Sequence, residues 1–93
     1  MKLYTLVVEY DHGTYITQAN ANSTQTAPSA CIERWDICDL TDIITEQDKS
    51  IILEQLKAEQ LIALSHTLNV WYGSVNLNNK LLTFNLILTD KDQ

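Results

Sequence analysis

The chain has little proline and little glycine, one and two residues in 93, so it carries few breaks and its regular elements should be long. Ninety-three residues make one domain with a single core. Cysteine is equally sparse. Cys31 and Cys38 are two residues only and form no disulfide framework. On a continuous helix they would share a face about 10 Å apart along the axis, beyond the roughly 7 Å Cα separation that a disulfide spans. His12 and His66 each stand alone, outside any Cys-x-x-Cys or His-x-x-x-His spacing, so no zinc set is expected. Neither cysteine has a histidine in a position to activate it, and both read as small core residues. A Gly-rich phosphate loop, a Ser-His-Asp arrangement and a nucleophile elbow are all missing from the sequence. We therefore expect no catalytic, cofactor or metal residues.

Basic residues are scarce too. Six Lys and Arg stand against twelve Asp and Glu, a net charge of −6. That argues against nucleic acid, whose binding rests on cations displacing counterions, and against an anionic membrane surface. The N-terminal apolar run Leu3–Val8 is ended by Glu9 and Asp11, too early for a signal peptide. No segment approaches the ~20 apolar residues of a membrane span. The expected location is the cytoplasm.

What the chain does have is 45% apolar and 19% charged residues, a globular composition. Lys2–Tyr10 and Thr14–Ala21 are rich in β-branched and aromatic residues around Asp11-His12-Gly13 and read as a hairpin. With His12-Gly13 as the turn, Tyr4, Leu6, Val8 and Tyr10 face Ala21, Ala19, Thr17 and Tyr15. Pro28 suits the first turn of a helix in which Cys31, Trp35 and Cys38 point inward, ending near Cys38 or Leu40. Thr45 and Asp48 resemble a capping box for a second helix. Its apolar stripe of Ile52, Leu56 and Ala63, flanked by Leu53 and Ile62, allows one helix to about Ser65 or two shorter ones. Asn78-Asn79 separates Asn69–Leu77 from Lys80–Thr89, and asparagine tolerates the positive φ of a type I′ turn. That turn sets Trp71, Gly73 and Val75 opposite Leu86, Phe84 and Leu82. The fold class is then α+β, in the order ββ-αα-ββ. Two hairpins would make a four-stranded antiparallel sheet, with the helices packed on one face.

Two surfaces stand out. Eight acidic residues, Glu33, Asp36, Asp39, Asp42, Glu46, Asp48, Glu54 and Glu59, face only Arg34, Lys49 and Lys57 in the same segment, which holds −5 of the net −6. Asp36, Asp39 and Asp42 recur every third residue but lack the EF-hand order and its glycine. The second surface is the outer face of the sheet. There the strand alternation places Leu3, Val7, Ile16, Val70, Tyr72, Leu81 and Ile87, more large apolar residues than scattered exposure usually gives. Trp35, Trp71, Tyr4, Tyr10 and Tyr15 are expected in the core.

Gly13-Thr14-Tyr15-Ile16-Thr17-Gln18, followed by a helix ending in Ile32-Glu33-Arg34-Trp35, resembles a group of small bacterial proteins. They share such a hairpin leading into a helix with a terminal tryptophan. Asn69-Val70-Trp71 is similar to their C-terminal half. The resemblance implies no activity and assigns no site, and the longer polar stretch Ser23–Ala27 departs from it. The hairpin-then-helix start is also similar in topology to HicB-type antitoxins.

Together these readings lead us to expect a non-enzymatic protein-interaction domain, of the immunity-protein or antitoxin kind, that neutralises a basic protein partner. The candidate contact residues are Asp36, Asp39, Asp42, Glu46, Tyr72, Ile16 and Ile87. The alternatives are a small-ligand binder or enzyme with a helix–sheet pocket, and a homodimer built on the outer sheet face.

Overall fold

The architecture of the chain comes from a computed structural model that describes residues 1–35, 45–58, 61–64 and 69–89. Its elements are β1 (Lys2–Tyr10), β2 (Gly13–Ala21), α1 (Ala27–Arg34), α2 (Glu46–Leu56), β3 (Ile62–Ala63), β4 (Val70–Leu77) and β5 (Lys80–Leu88). They form an α+β structure with one antiparallel sheet ordered β2-β1-β5-β4-β3. The first and last strands thus lie side by side in the middle of the sheet, β1 against β5.

The C-terminal hairpin follows its sequence pattern throughout. Asn78 and Asn79 adopt φ of 54° and 64°, and Trp71, Gly73 and Val75 pair with Leu86, Phe84 and Leu82. Asparagine fits because its short polar side chain tolerates the left-handed region. Gly73 is required by packing. A Cβ there would stand 2.9 Å from Phe84 Cε1 and closer still to Cζ, so the ring lies on the bare backbone.

The N-terminal hairpin departs from expectation by two residues. Its turn is Asp11-His12, both at positive φ (51° and 69°), and Tyr10 pairs with Gly13, Val8 with Tyr15, Leu6 with Thr17 and Tyr4 with Ala19. Three contacts favour this register over a His12-Gly13 turn. Lys80 Nζ holds the Asp11 carboxylate at 2.7 Å across to β5. Gly13 lies beneath the Tyr15 ring, where a Cβ would meet Cζ at 2.7 Å. Thr17 opposite Leu6 can reach helix α1, donating from Oγ1 to the Cys31 carbonyl at 3.1 Å.

Three further corrections concern the middle of the chain. Helix α1 stops at Arg34, short of Cys38, because Trp35 turns to extended backbone (φ −64°, ψ 121°) and sets its ring against Tyr15, tilted by 44° with centroids 5.7 Å apart. Helix α2 ends at Leu56. Ile62 and Ala63 continue the helical spacing in sequence, yet they form a fifth strand on Tyr72 and Trp71. The sheet is therefore five-stranded rather than four-stranded, and the order is ββ-αα-βββ. A strand there satisfies outward backbone groups of β4 that would otherwise face water or apolar side chains.

Both helices pack on one face of the sheet, α1 over β2 and β1 and α2 over β4. The core between them holds Leu6, Val8, Cys31, Ile32, Ile52, Leu82 and Leu86, all essentially free of solvent contact. Each leucine or isoleucine so buried contributes roughly 1.5–3 kcal/mol. The capping box forms as its sequence implies, Thr45 Oγ1 accepting from Asp48 N and Asp48 Oδ2 accepting from Thr45 N, both at 3.1 Å. Lys49 Nζ closes the other helix, donating to the carbonyls of Glu33 at 2.8 Å and Trp35 at 3.3 Å. A cation suits that end of α1, where unpaired carbonyls concentrate negative charge.

Candidate functional site: the helix-free face of the sheet

Strand pairing fixes which side chains share the outer face. One row crosses all five strands: Ile16 beside Val7, Val7 beside Asn85, Asn85 beside Tyr72 and Tyr72 beside Ile62. The next row runs Gln18, Thr5, Ile87 and Val70, and the row on the other side runs Thr14, Glu9, Thr83 and Ser74. Leu3 and Leu81 lie at the two ends. Among the described residues of this face Glu9 alone is charged, in a chain with twelve acidic residues. Ile16 is 67% exposed, Ile62 61% and Leu81 56%. Leu3, Val7, Val70, Tyr72 and Ile87 are half-buried, since each is flanked by neighbours on the adjoining strands. Apolar side chains, an aromatic and few charges are the composition of the central part of protein interfaces.

The sequence thus placed Ile16, Tyr72 and Ile87 on one face, and they lie on it together. It missed Ile62, which joins that row only because β3 forms. The acidic candidates divide differently. Glu46 is exposed in the first turn of α2, on the opposite side of the sheet from Tyr72. Asp36, Asp39 and Asp42 lie outside the described residues, as do Cys38 and His66. Asp48 is withdrawn from any acidic surface by its capping role and by Asn78 Nδ2, which donates to Oδ1 at 3.4 Å.

A groove of about 380 Å³ opens at the β1–β2 turn, lined by residues that include Glu9, His12, Thr14, Leu81 and Thr83. It lies on the outer side, away from the helix–sheet interface. Tyr10, at its rim, is turned inward and donates its hydroxyl to the Leu77 carbonyl at 3.1 Å. The Lys80 ammonium, by hydrogen bond and charge, holds the Asp11 carboxyl below the usual carboxylate range. Cys31 is sealed in the core, where burial pushes its thiol up to about 11, so it stays a neutral thiol and a poor nucleophile. Among the described residues no group of three His, Cys, Asp or Glu side chains could hold a metal ion. Within the same residues no helix is long and apolar enough to cross a membrane.

No protein-family model, no curated protein and no solved structure matches this chain. The functional reading therefore rests on the face itself.

Proposed function

We propose that this chain is a non-enzymatic protein-interaction domain that takes its partner on the helix-free face of the sheet. The observation that carries the reading is the row Ile16–Val7–Asn85–Tyr72–Ile62. It is uncharged from edge to edge, and both of its ends are more than half exposed. An uncharged row with exposed isoleucine at both ends costs solubility unless it is covered, so a partner is its natural use. The test is affinity capture from a lysate of the source cell, with bound proteins identified by mass spectrometry. The variant I62E/Y72E should lose what the native chain retains, while its opposed carboxylates on β3 and β4 lower stability only modestly, by about 1 kcal/mol. Retention of the same partner by I62E/Y72E would sink the reading.

A second reading, of the immunity-protein or antitoxin kind, places a basic partner on the helical side. It is favoured by the engagement of cations there: Lys49 closes α1 and Lys57 pairs with Glu54 at 3.4 Å. Glu33 and Glu46 are meanwhile left exposed. In the same experiment E33K/E46K would then abolish capture and I62E/Y72E would spare it.

A further inference from the structure

The two edges of the sheet are finished differently. On the β4 side, β3 pairs with Trp71 and Tyr72, and Leu64 N donates to the Val70 carbonyl at 3.1 Å. Further along, the Gln55 side chain acts as a short piece of strand. Its Oε1 accepts from Asn76 N at 2.9 Å and its Nε2 donates to the Asn76 carbonyl. These are the means by which sheets block stray pairing.

Strand β2 has none of them. It runs nine residues, Gly13–Ala21, in unbroken register with β1, without a bulge, a proline or a charged side chain. The closing pair of a two-residue hairpin exchanges hydrogen bonds, and alternation along the ladder follows from it. Tyr10–Gly13 closes this hairpin, so Gly13, Tyr15, Thr17, Ala19 and Ala21 spend their backbone groups on β1. The N–H and C=O of Thr14, Ile16, Gln18 and Asn20 then point away from the sheet. The bond from Thr89 N to the Leu3 carbonyl agrees with this alternation, since it turns odd-numbered β1 groups toward β5. No described residue pairs with the four outward positions, and all four side chains are exposed.

We infer that β2 is the pairing edge for a second copy of this chain, antiparallel and related by a two-fold axis at Thr17. The occupant of such an edge must be an extended strand, because a row of alternating donors and acceptors recognises another such row. A second copy of β2 fits it in full. With Thr17 on the axis, Thr14 meets Asn20 and Ile16 meets Gln18, and the two-fold repeats each pair. All four outward positions are used, for up to about eight hydrogen bonds. Net charge works against association, since two chains of −6 repel, and β2 is a strip where that repulsion is least, carrying no charge of its own. The joined sheets would have ten strands, and their outer faces would merge with the two Ile16 side chains in diagonal contact across the seam. This goes beyond the proposed reading, since it uses the edge rather than the face and stands independently of it.

The test is sedimentation of the full chain at high micromolar concentration, together with amide exchange. The native protein should sediment at twice the 10.6 kDa of one chain, with the amides of Thr14, Ile16, Gln18 and Asn20 protected. Gln18→Pro removes an outward donor in each copy without touching the β1 ladder, a tolerated place for proline. It should weaken association at least about tenfold. Ile16→Lys, which sets two ammonium groups near the seam, should do the same and guards against a proline that disturbs folding. I62E/Y72E should leave the dimer intact. A native monomer, or a dimer that survives both edge substitutions, overturns the inference. So does a dimer lost in I62E/Y72E but kept in Gln18→Pro, a result that would instead support the face.

Discussion

Replacing Gly73 by alanine tests the sheet register and the packing above it in one step. A Cβ at this position stands 2.9 Å from Phe84 Cε1, where carbon atoms prefer about 3.5–4.0 Å. The ring is the end of a side chain and could swing, but Phe84 is 2% exposed and is paired on its other side with Val8. Its retreat must therefore displace core. Overpacking of this kind costs about 1–3 kcal/mol. Alanine recovers part of that, about 0.5–1 kcal/mol, because glycine is entropically poor in a strand. The balance is a net loss of up to about 2.5 kcal/mol, centred on about 1 kcal/mol. With a urea slope on the order of 1 kcal/mol per M for a chain of this size, the midpoint should fall by roughly 1 M. In a Phe84→Leu background, which withdraws the ring, Gly73→Ala should cost at least about 1 kcal/mol less, a coupling expected only of residues in contact. Equal effects of Gly73→Ala in the two backgrounds would mean that the ring does not lie on residue 73.

Thr45→Ala should destabilise the protein by about 1 kcal/mol in urea unfolding, through loss of the capping box; no change would show that α2 does not depend on that cap. Tyr10→Phe should cost about 1 kcal/mol, since it leaves the Leu77 carbonyl without its 3.1 Å donor. Lys80→Met should move the Asp11 titration up toward an ordinary carboxylate, read by NMR. Because the folded pKa is the depressed one, the pair supports folding above the unfolded value of Asp11, and that support fades as pH falls through the folded value. In a Cys38→Ser background the Cys31 thiol should resist a thiol reagent at mild pH and react on unfolding. Its folded pKa of about 11 is the raised one, so stability should decline as pH climbs from the ordinary thiol range, about 8.5, through that value.

How much could be read from the sequence depended on whether a one-residue error would expose the core. In the second hairpin Trp71, Val75, Leu82, Phe84 and Leu86 alternate strictly around Asn78-Asn79, and any odd slip would turn them to water. In the first hairpin the competing registers differ by two residues, which keeps every side chain on its own face. The apolar pattern was therefore silent, and the choice fell to tertiary contacts at Asp11, Tyr15 and Thr17. Strand β3 was hidden for a related reason. Ile62 and Ala63 sit at helical spacing from Ile52 and Leu56, and two residues are too few to show strand alternation. The outer face was legible as a set because it is the complement of the core pattern; its extension to Ile62 was not.

The central claim, that a protein partner covers the helix-free face, is tested most directly by hydroxyl-radical labelling of the captured complex against the chain alone. The account predicts that Ile62, Tyr72 and Leu81 lose most of their labelling in the complex, while exposed apolar Ile51 on α2 keeps its own. Unchanged labelling of Ile62, Tyr72 and Leu81, with protection confined to the helical side, would contradict it.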